Sequence, residues 1–560
     1  MKKIIILIAS LTCFVAATAQ EELSRRVDIS RDYTVGVQSA EPLAVPISRN
    51  DTVVTRPVLS FNIRPTEWNS SFEARPVAPA ALSSAEWTPS NNFYLKAAGG
   101  YPWRSALDLY YTPVSERRST VGFYLNHDGI EGKVDNLQNK RVSALSLQNR
   151  LGGFYNHYGR LSTLTVAADN RFDFYTPYGG YLLDKTKTQP SAHDIFFNRT
   201  SASADLVGRF AEGNDLSYTV AAEAQHLLGA SYDNRHSCTD YNLSFALSNF
   251  GNDSTSLFVP SKIALTHGAC ISPSEGYHNV TVSVMPEWNM RLGGFPLSIA
   301  VGYLFNTNLE KAHNNFIFDL DWRYDRLALL TPFVSASRSL VDNSFDRLVA
   351  ENPYLKFGSS LNNQMLSSLR VGIEGSDRAF SYRLTGGAER FDGYTSFCLI
   401  EGPKGLFEPI STPLTLWYAA AEVNIRTTEA FAVNLSGRWN APHYDTSDAY
   451  RNATAIPSFK ALANFRWTLF RRLVVGAGVE VLGKADHLIH YSDDAPIWIG
   501  PFEVKTLPVT WNLKASAEYS INNRIAAFVE ADNLLNQTIY RFYSYPSLGR
   551  GIVGGVKMTF

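Results

Sequence analysis

Cysteine, charge and long apolar runs are all scarce in this chain of 560 residues. Its four cysteines are Cys13, Cys238, Cys270 and Cys398. With Cys13 inside an N-terminal apolar run, an odd three remain, which excludes a disulfide framework and leaves open a single bridge between Cys238 and Cys270. None has the spacing of a zinc ligand set, so neither a structural metal nor a cofactor is expected. Charged residues make up 18% of the chain and sum to a net charge of −1, which excludes a basic nucleic-acid-binding face. Beyond the N-terminus no stretch of eighteen apolar residues occurs, which excludes a transmembrane helix. What is abundant is the aromatic ring: 13% of residues, 28 of them Tyr. Such a composition suits tyrosine-rich strands whose rings sit at a bilayer interface.

The first residues explain how such a chain reaches a membrane. Lys2 and Lys3, the apolar run Ile4 to Val15 and the small residues Ala17, Thr18 and Ala19 read as a secretory signal peptide over residues 1–19. The apolar run is too short to cross a hydrocarbon layer of about 30 Å. Residues 20–90 follow as a distinct region, with Pro42, Pro46, Pro57, Pro65, Pro76, Pro79 and Pro89 spread through it. Proline removes a backbone donor and fixes φ, so an extended N-terminal arm is expected there rather than a folded domain.

From residue 91 to 560 the period is two. Leu216, Tyr218, Val220, Ala222 and Ala224 alternate with Ser217, Thr219, Ala221, Glu223 and Gln225. Phe316, Phe318, Leu320 and Trp322 alternate with Asp319, Asp321 and Arg323, and Trp511, Leu513, Ala515, Ala517 and Tyr519 with Asn512, Lys514, Ser516 and Glu518. Side chains of a strand point alternately to its two faces, so each run presents one apolar and one watery face. The runs are about ten residues long, enough for a tilted strand to cross a bilayer and longer than the strands of a soluble sandwich. Turn signals divide the region into about 22 such strands, an even number, as a barrel with both ends on one side requires. Short connections such as Tyr158-Gly159-Arg160, Arg471-Arg472 and Asn522-Asn523 alternate with long ones near 178–195, 342–364, 400–412, 443–456, 487–503 and 540–550. The fold class is therefore all-β, a transmembrane antiparallel barrel of about 22 strands.

The chain ends on a strand, Ile552 to Phe560, whose open edge would invite aggregation unless the sheet closes on itself. Upstream stand Asn533, Leu534, Asn536, Tyr540, Tyr545, Pro546, Gly549 and Arg550, and the last residue is Phe560. In this order they resemble the closing hairpin of TonB-dependent outer-membrane receptors. The resemblance implies a 22-stranded barrel in the outer membrane of a Gram-negative bacterium. In the arm, Asp51, Thr52, Val53, Val54 and Thr55 resemble the TonB box that such receptors offer to their energising partner by strand addition, and a short strand of β-branched residues is the other reading. Strand-like sequence begins straight after Ser90, which leaves no room for the family's plug domain, so the plug is expected to be missing.

No catalytic signature is present: there is no G-x-S-x-G and no H-E-x-x-H, and the 11 histidines are scattered. His127 with Asp128, and His443 with Asp445, read as solvated loop residues, and an enzyme is not expected. His487, His490, Asp493 and Asp494 carry metal-capable groups at no recognised ligand spacing. Three roles stay open. A transport-type barrel is favoured by the TonB-box-like segment and disfavoured by the lost plug. A barrel subunit of an outer-membrane complex would dock other barrels, lipoproteins or periplasmic proteins through its arm and loops. A passive, porin-like pore of this width would need inward-folded loops, the arm or another protein to obstruct it. Outer-membrane lipid is the surrounding partner in each case.

Overall fold

Alternation makes each strand one-sided, and one-sided strands are stable only if their apolar faces share a common shelter. In the computed structural model that shelter lies outside the sheet. The structure describes residues 92–135, 141–180, 195–211, 216–231, 234–248, 262–272, 277–292, 295–309, 312–325, 329–357, 361–400, 405–428, 430–445, 452–491 and 502–560. Residues 1–19, expected to be a signal peptide, residues 20–90, expected to be an arm and containing Asp51–Thr55, and Asp493 and Asp494 lie outside these residues, as does the side chain of Cys270.

Twenty-four strands belong to one sheet. Two of them, Ala485–His490 and Phe502–Leu507, form a hairpin that stands off the wall, because Leu473–Leu482 pairs directly with Thr510–Ser520. The remaining 22 form a closed antiparallel barrel, each paired with its neighbours in sequence. Closure is made by the last strand, Gly551–Thr559, against the first, Phe93–Tyr101, in the register Tyr94↔Thr559 to Tyr101↔Ile552. Phe93 and Phe560 exchange backbone bonds of 3.0 and 2.9 Å, and their rings lie 6.3 Å apart. Among the described residues every wall strand has a partner on each side, which is how a barrel avoids the hazard of a terminal strand.

The expected strands fall where the alternation put them. Three of the expected runs, near 473–489, 504–524 and 525–541, each join a wall strand to a short strand of the adjoining loop: Leu473–Leu482 to Ala485–His490, Phe502–Leu507 to Thr510–Ser520, and Ile525–Asp532 to Tyr540–Phe542. Period alone cannot separate them, since an extended loop strand alternates in the same way as a wall strand.

The outward face is apolar. Phe123, Leu151, Tyr303, Phe316, Trp417 and Trp439 are each more than half exposed. Exposed apolar area costs about 25 cal/mol per Å² in water, so a band of such residues around the whole wall requires hydrocarbon outside it. The inward face is polar: Arg150 grips Asp169 at 2.7 and 3.1 Å, Arg438 meets Glu389 at 2.8 Å and Lys557 meets Glu518 at 2.5 Å. Each such part-exposed pair contributes at most about 1 kcal/mol, and their collective effect is a wall that water can wet. The turns Phe470–Arg472 and 521–524 lie at the end where residue 92 enters and Phe560 finishes; the connections 342–363, 483–509 and 533–550 join strands at the other. By the rule for such barrels the first end is periplasmic and the second extracellular.

Candidate functional site

Among the described residues, segments of several long connections fold inward onto one another. The connection after Thr331–Val341 begins with a seven-residue helix, Phe345–Glu351 (α1), and returns through Tyr354, Leu355 and Phe357. Together with Tyr175, Ile195, Phe197 and Leu227 of the wall, Leu406 and Phe407, Ile489 of the off-wall hairpin and Tyr545, these residues form a single buried apolar core. The contributing segments leave the barrel at well-separated points of its circumference, after the fifth, thirteenth, fifteenth, nineteenth and twenty-first wall strands in order. They can meet only by crossing the lumen, so the extracellular mouth is covered by a cap.

The centre of the cap is aromatic. Tyr545 is 2% exposed and stacks on Tyr354 with ring centroids 3.9 Å apart; the Tyr178 ring lies 4.8 Å and the Phe407 ring 5.7 Å from it. The Tyr545 hydroxyl donates to the carbonyl of Gly405 at 2.6 Å, and the Tyr178 hydroxyl to that of Pro546 at 3.0 Å. Burial pushes the Tyr178 hydroxyl up to about 12 and that of Tyr354 well above the ordinary phenol range. These rings therefore stay neutral and act as packing and hydrogen-bonding groups. Gly179 is needed for close approach: a Cβ there would sit 2.2 Å from the Tyr545 ring.

Polar clamps tie the cap to the wall. In the first turn of α1, Asp346 accepts from Arg199 Nε at 2.6 Å and again from its Nη2, and from Gln225 Nε2 at 2.6 Å. Asn343 and Asn363 close the base of the same connection: the Asn343 N–H donates to Asn363 Oδ1 at 2.8 Å and Asn343 Nδ2 to the Asn362 carbonyl at 2.8 Å. Phe407 and the Tyr354–Lys356 segment exchange backbone bonds of 2.9 and 2.8 Å, and Lys356 meets Glu408 at 2.7 Å. On the lumen side the cap roofs a cavity of about 330 Å³ lined by Arg104, Arg171, Arg199, Arg541, Asp173 and Asp532, with Tyr354 and Tyr545 overhead. Burial raises the carboxyl of Glu351, at the end of α1, with Arg347 and Arg541 opposing the shift.

The residues singled out in the closing sequence build the turn that aims Tyr545. Asn533 and Asn536 adopt left-handed φ values of 49° and 53°, which asparagine tolerates better than most residues. Asn533 brackets Gln537, accepting from its N–H at 3.0 Å and donating to its carbonyl at 2.7 Å, and Asn536 Oδ1 accepts from the Arg550 N–H at 3.0 Å beside Gly549. The Leu534 N–H donates to the Leu513 carbonyl at 3.0 Å, and Tyr540 pairs with Pro546 in a small hairpin of Tyr540–Phe542 with Tyr545–Pro546.

The histidines read as solvated loop residues are placed differently. His127 lies within the wall strand Ser119–Asp135, paired with Leu107 and Asn149, and Asp128 points to the opposite face. His443 lies in Phe431–Tyr444 opposite Thr415, and Asp445 faces Arg390 at 3.7 Å. His487 and His490 are buried in the hairpin Ala485–His490, and burial lowers His487 to about 4. Among the described residues no cluster of three or more His, Cys, Asp or Glu is arranged to hold a metal ion. The cap core was missed by sequence reasoning because its members come from five connections and from the ends of separate wall strands, and follow no common period.

No family model and no curated protein matches the chain. Solved structures do. The FrpB iron transporter from Neisseria meningitidis superposes with a TM-score of 0.64 at 10% identity, over 84% of this chain and 82% of that one. The siderophore receptor PirA from Acinetobacter baumannii gives 0.63 at 10% identity, over 84% and 81%. A mutant of the ferric enterobactin receptor PfeA from Pseudomonas aeruginosa gives 0.62 at 10% identity, again over 84% and 81%. At such identity the likeness is one of fold, and together with the apolar outer band it identifies this protein as a transmembrane β-barrel of 22 strands, similar in fold to the barrels of these receptors and this transporter.

Proposed function

We propose that the protein is a transport-type outer-membrane barrel that lacks a plug and is gated by its own extracellular loops. The observation that carries this reading is the cap, whose single apolar core gathers segments from five connections around the Tyr354–Tyr545 stack. A bare wall of this strand number would leak, and the cap supplies a barrier at the extracellular mouth. A passive, permanently open pore is disfavoured for the same reason. The neighbours include siderophore receptors and an iron transporter, so ferric siderophores are the first solutes to assay. The test is planar-bilayer conductance of the full chain beside a variant lacking residues 345–357. The intact protein is expected to be nearly silent and the variant to open large, steady channels. Large conductance by the intact protein would overturn the reading.

A second role, as barrel subunit of an outer-membrane assembly, is favoured by one feature: the proline-rich stretch of residues 20–90, whose sequence reads as an extended arm. At roughly 3 Å per extended residue it has ample length. Gentle detergent extraction from the native membrane, with identification of whatever co-purifies in fixed ratio, tests it. Other barrels or lipoproteins in stoichiometric amount would support it, and a barrel that runs alone would end it.

A further inference from the structure

Ser105, His127 and Asn149 sit on three consecutive wall strands, Arg104–Ser115, Ser119–Asp135 and Arg141–Tyr158. The register pairs His127 with Asn149 and places Ser105 diagonally beside His127, opposite Gly129. Ser105 Oγ lies 2.8 Å from His127 Nε2, and His127 Nδ1 lies 2.7 Å from Asn149 Oδ1. Asn149 Nδ2 is directed to the Phe172 carbonyl at 3.4 Å, which leaves its oxygen facing the ring. An amide oxygen has no proton to give, so Nδ1 must be the donor in that contact. In the neutral ring Nε2 is then the acceptor, and the Ser105 hydroxyl donates to it. A hydroxyl bonded to an imidazole whose tautomer is fixed by a third group is the arrangement of a nucleophile, its base and an orienting residue.

The location narrows the substrate. Lumen-facing neighbours on the same strands are charged or polar: Asn126 donates to Asp108 at 2.7 Å, and Arg150 grips Asp169. Ser105, His127 and Asn149 occupy the alternate face, in line with the exposed Leu125 and Leu151, so they point to lipid. They lie near the extracellular rim, where Ser105 follows the exposed Trp103, and such rings mark the membrane–water boundary. Polar side chains facing lipid are costly, and apolar residues would serve the wall better. The row is tight on one side and open on the other. A Cβ on Gly129 would stand 2.7 Å from Ser105 Oγ and 3.2 Å from His127 Nε2, so only glycine permits the contact. On the other side, Ser105 pairs with Gly99, and Gly99 with Gly554; both are exposed, with nothing nearer than 3.8 Å to an added Cβ. On that side the Ser105 row is therefore continued by backbone without side chains, exposed toward the outer leaflet.

We propose that this chain of groups hydrolyses a fatty-acyl ester presented by outer-leaflet lipid. Ser105 Oγ attacks the ester carbonyl while His127 Nε2 takes the hydroxyl proton. The tetrahedral adduct collapses by breaking the bond to the alcohol oxygen, which leaves with the proton from His127. Water, deprotonated by the same Nε2, attacks the resulting acyl-serine; the fatty acid departs and the proton returns to Ser105. The sum is ester plus water to carboxylic acid plus alcohol, with no other reactant. Ser105 and His127 are the catalytic residues, and Asn149 is a positioning residue.

The experiment uses the full chain, purified in detergent and checked for a folded barrel by its heat-dependent gel mobility. A fluorophosphonate probe should label the wild type and not Ser105→Ala. Release of fatty acid is followed from vesicles of glycerophospholipid and, separately, from lipopolysaccharide. Cleavage of either supports the proposal and shows which lipid supplies the ester. Ser105→Ala and His127→Asn should each lower it by about a thousandfold, as loss of a nucleophile or its base does. Asn149→Leu, of similar volume, should lose most labelling, whereas Asn149→Asp, which can still accept from Nδ1, should restore it. Equal labelling of wild type and Ser105→Ala, or no ester cleavage above buffer with both lipids, would overturn the proposal and leave the three residues as a cross-strand hydrogen-bond chain.

Discussion

Replacing Tyr545 by alanine should open the cap and spare the barrel. Tyr545 contributes nothing to the wall ladder, since Tyr545–Pro546 pairs with Tyr540–Phe542 in a separate two-stranded sheet, and it meets Tyr354, Tyr178, Phe407 and the Gly405 carbonyl in the cap. Truncating a buried aromatic costs about 3–5 kcal/mol. Leaving the Gly405 carbonyl without its donor adds about 1–3 kcal/mol, though water entering the void offsets part of this. A net loss of about 4 kcal/mol raises the open population of the cap about a thousandfold. Hydrogen exchange followed by mass spectrometry reads this directly: amides of 345–357 should lose protection by that factor, while those of Phe93–Tyr101 and Gly551–Thr559 stay unchanged. Tyr545→Phe keeps the stack and loses only the hydroxyl bond, so its effect should be about tenfold or less. Unchanged protection of 345–357 in Tyr545→Ala would refute the idea that this ring holds the cap closed. Equal loss across the wall strands would show that cap and barrel are one cooperative unit.

Asp346→Ala leaves Arg199 without its partner beside the cavity and should destabilise the cap by about 3 kcal/mol, and adding Arg199→Met should recover much of that loss; protease nicking within 345–357 measures both. His487 is held neutral by burial, with a folded value of about 4 against 6.5 for the free side chain, so the unfolded hairpin binds more protons between those values. The stability of the hairpin Ala485–His490 with Phe502–Leu507 is therefore full above about pH 6.5 and declines as pH falls toward 4, by about 3 kcal/mol in all. His487→Gln should remove this pH dependence of protease cleavage in the hairpin. Asn536→Ala removes the acceptor for the Arg550 N–H and places alanine at φ 53°, and should cost about 2 kcal/mol, read as faster exchange of the 540–546 amides.

The strand positions and the facing of their side chains were legible in the sequence because both are local. Whether Trp511 looks outward and Lys514 inward follows from counting by two along one strand, and needs no knowledge of its neighbours. The same locality explains why Ala485–His490 was fused with the wall strand before it. The closing turn was legible as well, because Asn533 and Asn536 act within a few residues of themselves.

The cap and the Ser105–His127–Asn149 chain were decided by tertiary structure alone. Tyr178 and Tyr545 are separated by most of the chain, and their contact depends on which connections are long enough to cross the lumen and on shapes that fit only after the barrel has closed. Ser105, His127 and Asn149 stand at intervals of 22 residues, a spacing without meaning until register is known. A slip of one residue in either hairpin would turn one of the three to the opposite face and break the chain. Alternation set the two faces of every strand. Register, fixed by turns and closure, decided which side chains meet across them.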